Sequence, residues 1–172
     1  MAKRAAPPAQ HAVRRAALLV GEGFAEQAFL SHLKSLYVQR GTKYITIKTA
    51  KGKGGAYVLN FALNQSRYFA FDEVAAMLDT DAAWGDDQRA LAAREKVLVF
   101  ECQPCLEALL LAVAGERVPQ GNSARIKRAF EQALGGEAHD PKLYLNKFPK
   151  QVLDDACKRL PVLAAVVKFL TD

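Results

Sequence analysis

The chain carries little cysteine and no pattern of it that builds a scaffold. Three cysteines in 172 residues are an odd set, too few for a disulfide framework, and they point to a reducing compartment. Cys102 and Cys105 have the spacing of half a zinc site, but His11, His32 and His139 are scattered singly and Cys157 is far along the chain. A zinc centre is not expected. Long apolar runs are missing too. Leu106 to Ala114, interrupted by Glu107, falls well short of the roughly 20 residues a bilayer demands, so no membrane partner is expected. Arg14 and Arg15 break up any secretory apolar core near the start, and the expected location is cytoplasmic. The glycine-rich stretch Lys51-Gly-Lys-Gly-Gly55 does not end in a Lys-Ser or Lys-Thr pair. It is not a Walker loop, so ATPase chemistry would belong to a partner encoded separately.

What is present is an ordinary globular composition, 51% hydrophobic and 24% charged, in a length that suits one domain with a sizeable core. The net charge of +6 is unevenly spread. Residues 1–54 hold ten basic side chains against two acidic, residues 55–115 hold four against nine, and residues 116–172 return to an excess of three basic. Such a pattern suits a protein that draws a polyanion to its surface and gathers a cation at its middle; solvated helix faces would also produce it.

Residues 1–14 lack periodicity and are expected to form a flexible basic tail. Arg15 to Val20 is a short apolar run stopped by Gly21, the pattern of a buried parallel strand. Apolar residues at 29, 30, 33, 36 and 37 form a helical stripe from Phe24 to Tyr37. Lys43 to Lys48 alternates as a strand near a sheet edge, and a helix is expected from about Ala56 to Gln65. Glu73 to Leu78 is a third strand, Asp79 to Asp87 a polar loop, Gln88 to Arg94 a helix and Lys96 to Phe100 a fourth strand. An apolar helix over Pro104 to Ala114 follows, with Pro near its first turn, then helices near 122–134, 149–159 and 161–170. The expectation is an α/β fold: a parallel sheet of about four strands flanked by helices over residues 15–115, and a helical extension over 116–172 packed on it.

In such sheets functional groups gather beyond the carboxyl ends of the strands. Asp79 and Asp81, two positions apart at the mouth of a strand, point to one side of an extended backbone. Glu22 follows the first strand between two glycines, and Glu26 lies one helical turn on. If the first and third strands are neighbours, these four carboxylates converge, and they repel one another unless a cation neutralises them. Oxygen ligands without histidine or cysteine favour Mg²⁺ or Mn²⁺. Lys51 and Lys53, with the backbone amides of their loop, are candidate phosphate contacts. Lys142, Lys147 and Lys150 are interleaved with Tyr144 and Phe148, which suits either single-stranded nucleic acid or a helix that buries its aromatic side.

Leu18-Leu19-Val20-Gly21-Glu22-Gly23 with Glu26, followed by Met77-Leu78-Asp79-Thr80-Asp81, resembles the Toprim (topoisomerase-primase) pattern of a Glu after strand one and Asp-x-Asp after strand three. Gln103-Pro-Cys-Leu-Glu-Ala-Leu-Leu-Leu111 further resembles a segment of RloB-like proteins, a branch of that superfamily linked to bacterial phage-defence loci. Leu106 and Ala108 stand where that segment has aromatics. The resemblance implies Mg²⁺- or Mn²⁺-assisted phosphoryl transfer on DNA or RNA, usually strand cleavage. Asp79 and Asp81 would hold the metal, Glu22 would be a ligand or the general acid/base, and Glu26 would complete the metal site. Glu107, in the RloB-like segment, and Lys147 join Lys51 and Lys53 as candidate substrate contacts. The alternative function class is a non-catalytic Toprim-like module that binds nucleic acid or the separate ATPase.

Overall fold

The computed structural model describes residues 15–81 and 84–172. The expected basic tail, and residues 82 and 83 of the polar loop, lie outside the described residues. In chain order the elements are β1 (Arg15–Gly21), α1 (Phe24–Tyr37), β2 (Lys43–Thr49), α2 (Gly55–Tyr68), β3 (Glu73–Asp79), α3 (Asp86–Arg94), β4 (Val97–Cys102), α4 (Leu106–Ala114), α5 (Ser123–Leu134), α6 (Pro141–Lys147), α7 (Lys150–Cys157) and α8 (Pro161–Thr171). The four strands form one parallel sheet in the order β2-β1-β3-β4. The first and third strands are therefore neighbours, as convergence of their carboxylates requires, and β2 lies at an edge as its alternating pattern suggests.

Consecutive residues of a strand face opposite sides of the sheet, and here each side has its own core. Leu18, Val20, Ala76 and Leu78 pack with Val58, Leu59 and Ala62 of α2 and Ala92 of α3. Ala17, Leu19, Ala75 and Met77 pack against Phe29, Leu30 and Leu33 of α1 and Leu110 and Leu111 of α4. The second core continues without a break into Ile126 and Phe130 of α5, Tyr144 of α6, Leu153 of α7 and Leu163, Val166 and Phe169 of α8. The helical extension is thus joined to the sheet by a shared apolar interior.

Local chemistry sets most of the boundaries. α1 packs so closely on the end of β1 that a Cβ on Gly21 would lie 2.8 Å from Glu26 Cβ, so only glycine fits there. α4 ends at Gly115, where φ is +78°, the left-handed conformation glycine adopts freely. Asn122 caps α5 by accepting the Arg125 N–H at 3.0 Å, and Asp140 caps α6 by accepting the Lys142 N–H at 2.9 Å.

Several sequence expectations need correction: α3 begins at Asp86 and not at Gln88, so it takes the end of the expected polar loop, and β4 spans Val97–Cys102 rather than Lys96–Phe100. α4 begins at Leu106, with Cys105 at its cap, and not at Pro104. α2 runs three residues past Gln65 to Tyr68. Residues 141–147 form α6, and of the two readings of the lysines and aromatics there the helix with a buried aromatic side holds: Tyr144 and Phe148 are fully buried, so they are core residues and offer no face to a nucleobase.

Candidate active site at the carboxyl edge of the sheet

β1 and β3 end side by side, and the chain leaving each delivers an acidic residue to the same place. The Glu22 N–H donates to the Met77 carbonyl at 3.0 Å, extending the β1–β3 ladder by one residue. The Glu22 side chain then crosses to β3, where its Oε2 accepts the Asp79 N–H at 3.1 Å. Asp79 is the last residue of β3 and nearly buried, and its Oδ1 accepts the Leu106 N–H at the first turn of α4 at 2.9 Å. Glu26 lies in the first turn of α1, and its Oε2 reaches back to accept the Gly23 N–H at 2.6 Å. That bond is a capping interaction, so Glu26 also secures the start of its own helix.

Glu107 is the fourth member. In the first turn of α4, it is 8% exposed, and its Oε2 has no hydrogen-bond partner among the described residues. A buried carboxylate oxygen without a donor is costly and calls for a ligand, a water or a proton. Crowding and burial both favour the protonated carboxyls. Burial, and then the charges of Glu26, Glu107 and Glu22, push the Asp79 carboxyl up to about 8 against the single opposing bond from Leu106. Burial likewise raises Glu26, with Glu107 and Glu22 adding to the shift.

Among the residues expected here, Glu22, Glu26 and Asp79 are brought together and Asp81 is not. β3 ends at Asp79, and the Thr80 N–H donates to both the Cys102 and Pro104 carbonyls, which bends the chain. Asp81 is consequently exposed and accepts a hydrogen bond from the Ser123 hydroxyl at the start of α5. The same-side rule for an extended pair fails because the strand stops between them. Glu107, expected as a substrate contact, instead lies within the acidic cluster. Lys51 and Lys53 are exposed on a loop tied to the site, for the Gly52 N–H donates to the Glu22 carbonyl at 2.7 Å. The Lys53 ammonium lies 4.9 Å over the Tyr57 ring. Lys147 is exposed at the end of α6.

One cation of the site had no sequence signal. Lys127 on α5 borders a cavity of about 150 Å³ with Glu107, Ala25 and His139. Partial burial opposes its charge, but Glu107, Asp79, Cys105 and Asp81 together hold the ammonium above the ordinary lysine value. An amphipathic helix of the extension thereby brings a positive group to the carboxylates of the sheet. The two cysteines do no comparable work. Cys102 and Cys105 are buried, and burial raises both thiols, Cys105 to about 11, so neither is a ready thiolate.

The donor set is entirely oxygen, the chemistry of a hard divalent ion, and the orphaned Glu107 Oε2 fits one. Among the described residues, however, no three Asp, Glu, His or Cys side chains form a metal-holding group as they stand. Glu22, Glu26 and Asp79 each give one oxygen to a backbone N–H and keep the second for a ligand. Comparison with family models, curated proteins and solved structures finds no match.

Proposed function

We propose that the protein is a Mg²⁺- or Mn²⁺-dependent nuclease, or a related phosphotransferase acting on nucleic acid, of the Toprim kind its motifs resemble and with the role in phage defence that its RloB-like segment implies. The observation that carries this is the burial of Glu26, Asp79 and Glu107 beside Glu22 where β1 and β3 end. Mutually repelling carboxylates are stabilised by a cation or by protons, and functional sites are where such perturbed groups concentrate. A divalent ion held there would neutralise phosphate oxygens and lower the pKa of an attacking water.

The chain's own groups have separable tasks. Asp79 and Glu107 would supply buried oxygens for the ion, with Glu26 beside them. Glu22 lies under the Lys51–Gly55 loop and serves as ligand or as acid/base toward the phosphate that Lys51 and Lys53 attract. Lys127 faces the carboxylates from the other side and offsets charge on the phosphoryl oxygens as they approach. Lys147 adds to the attraction of the polyanion at longer range.

A second reading, a non-catalytic module that binds nucleic acid or a separately encoded ATPase, draws support from the lack, among the described residues, of three side chains grouped to hold a metal. One experiment separates the two. Purified protein is incubated with end-labelled single- and double-stranded DNA and RNA in Mg²⁺, Mn²⁺ or EDTA, alongside Asp79→Asn. The nuclease reading expects cleavage of at least one substrate with metal, none in EDTA and none with the variant. Binding without cleavage of any substrate overturns it and favours the module.

A further inference from the structure

α1 enters the site with a side chain that the core does not use. Phe24, its first residue, follows directly on Glu22 and Gly23 and is 62% exposed. Across from it, Leu145 of α6 is 70% exposed. Single exposed apolar residues are common on protein surfaces, but these two line one groove of about 540 Å³, with Ala28 and Pro141 completing its apolar floor. Gln27, Ser31 and His139 give it a hydrogen-bonding rim, and no carboxylate lines it among the described residues. His32 also borders it, but its Nε2 is already bonded to the Phe148 carbonyl at 2.8 Å.

The groove leads to the carboxylates. His139 lines both it and the cavity that holds Glu107 and Lys127, and Ala25 in that cavity is the next residue to Phe24. Cations lie near the outer end. Lys142 follows Pro141 and shares a helix face with Leu145, three residues on. Arg40 borders an adjoining depression that shares Ser31 and Ser35 with the groove, whereas Lys34 there gives its ammonium to the Ile45 carbonyl at 2.6 Å. An apolar groove with polar edges, with Lys142 and Arg40 near its outer end and the proposed phosphate-handling site near its inner one, matches a base attached to its phosphate. The carboxylates are recessed as well, with Glu26 only 5% exposed and Asp79 only 9%. A rigid duplex keeps its bases stacked and its backbone on the outside, whereas a single strand can turn a base into a slot and send the next phosphate inward.

We propose that the groove between α1 and α6 takes an unpaired nucleobase, stacked on Phe24, and so makes single-stranded nucleic acid the substrate of the neighbouring site. The inference rests on the nucleic-acid part of the proposed function and is tested without cleavage. Fluorescence anisotropy of the full chain in EDTA compares a labelled single-stranded 12-mer, the same strand with abasic sites, and its duplex. The base-bearing single strand should bind about tenfold more tightly than either of the others, as stacking of a base on an aromatic ring allows. Phe24→Ala should lower single-strand affinity to the abasic level while leaving its salt dependence in place, because the phosphate contacts remain. Leu145→Ala should act in the same direction. Both side chains are largely exposed, so thermal melting should show both variants folded. Equal affinity for single strand, abasic strand and duplex overturns the proposal, as does an unchanged Phe24→Ala. Either outcome leaves the groove to an apolar peptide of a protein partner. Base-dependent binding with no cleavage under any metal condition refutes the nuclease and keeps the groove; cleavage indifferent to Phe24 does the reverse.

Discussion

With its carboxyl pushed up to about 8 by burial and by the neighbouring acids, Asp79 holds its proton at neutral pH in the metal-free protein. The unfolded chain releases it near the ordinary aspartate value of about 4, and the folded protein, because of burial and then Glu26, Glu107 and Glu22, releases it near about 8. Unfolding between those values therefore releases a proton, and the stability of the metal-free protein falls as pH rises across the window. The loss across it is on the order of a few kcal/mol. Asp79→Asn keeps an acceptor for the Leu106 N–H and removes the titrating group, so it should flatten the profile and be more stable than the parent at pH 8. Urea melts of both proteins in EDTA at pH 5 and pH 8 measure this, and a parent equally stable at both values would refute it. At this scale much of the site was legible: glycines around Glu22 and an acid at the mouth of the third strand are local patterns. Asp81 misled because two residues of sequence do not reveal that the strand ends after the first. Lys127 left no trace, since a lysine on an amphipathic helix looks the same whether it faces water or a carboxylate.

At the scale of elements, the contact between α1 and β1 decides whether the acids meet. Gly21→Ala would force a methyl to 2.8 Å from Glu26 Cβ and 3.1 Å from the Gln27 nitrogen, which moves the first turn of the helix. The expected cost is about 2 kcal/mol or more, together with loss of activity. Gly52→Ala is the control. Its φ is +72° but nothing lies within 4 Å, so only backbone strain of about 1 kcal/mol applies. Denaturant melts that put the two variants level would refute the close-packing account. Periodicity located the long elements, and α1 was readable from end to end through Phe29, Leu30 and Leu33. The end of α2 was not, because Ser66, Arg67 and Tyr68 bury nothing that marks a stripe. α6 has only seven residues, too few for a period to appear, although Asp140 followed by Pro141 was a start signal in plain sight.

Across the whole molecule, sheet and extension are fastened at the far end from the site by one buried cation. The Lys43 ammonium donates to Glu73 Oε2 at 2.7 Å and to the Phe169 carbonyl at 2.6 Å, and lies 4.2 Å over the Phe169 ring. It therefore joins β2, β3 and α8. Lys43→Ala would leave Glu73, which is part-exposed, with Arg15 at 3.7 Å as its remaining ion-pair partner and free the end of α8, for a loss of about 2 kcal/mol, readable as a fall in melting temperature with faster proteolysis near residue 160. An unchanged melting temperature would deny the clasp its role. The same clasp sets an order of events during synthesis. Lys43 and Phe169 are 126 residues apart, and a ribosome adding about 5 to 20 residues per second needs on the order of ten seconds to cover that gap. Through that interval the nascent sheet already has Glu73 to neutralise Lys43 but lacks the Phe169 carbonyl and ring, so the apolar surface that α8 covers stays open to other chains until the last residues emerge.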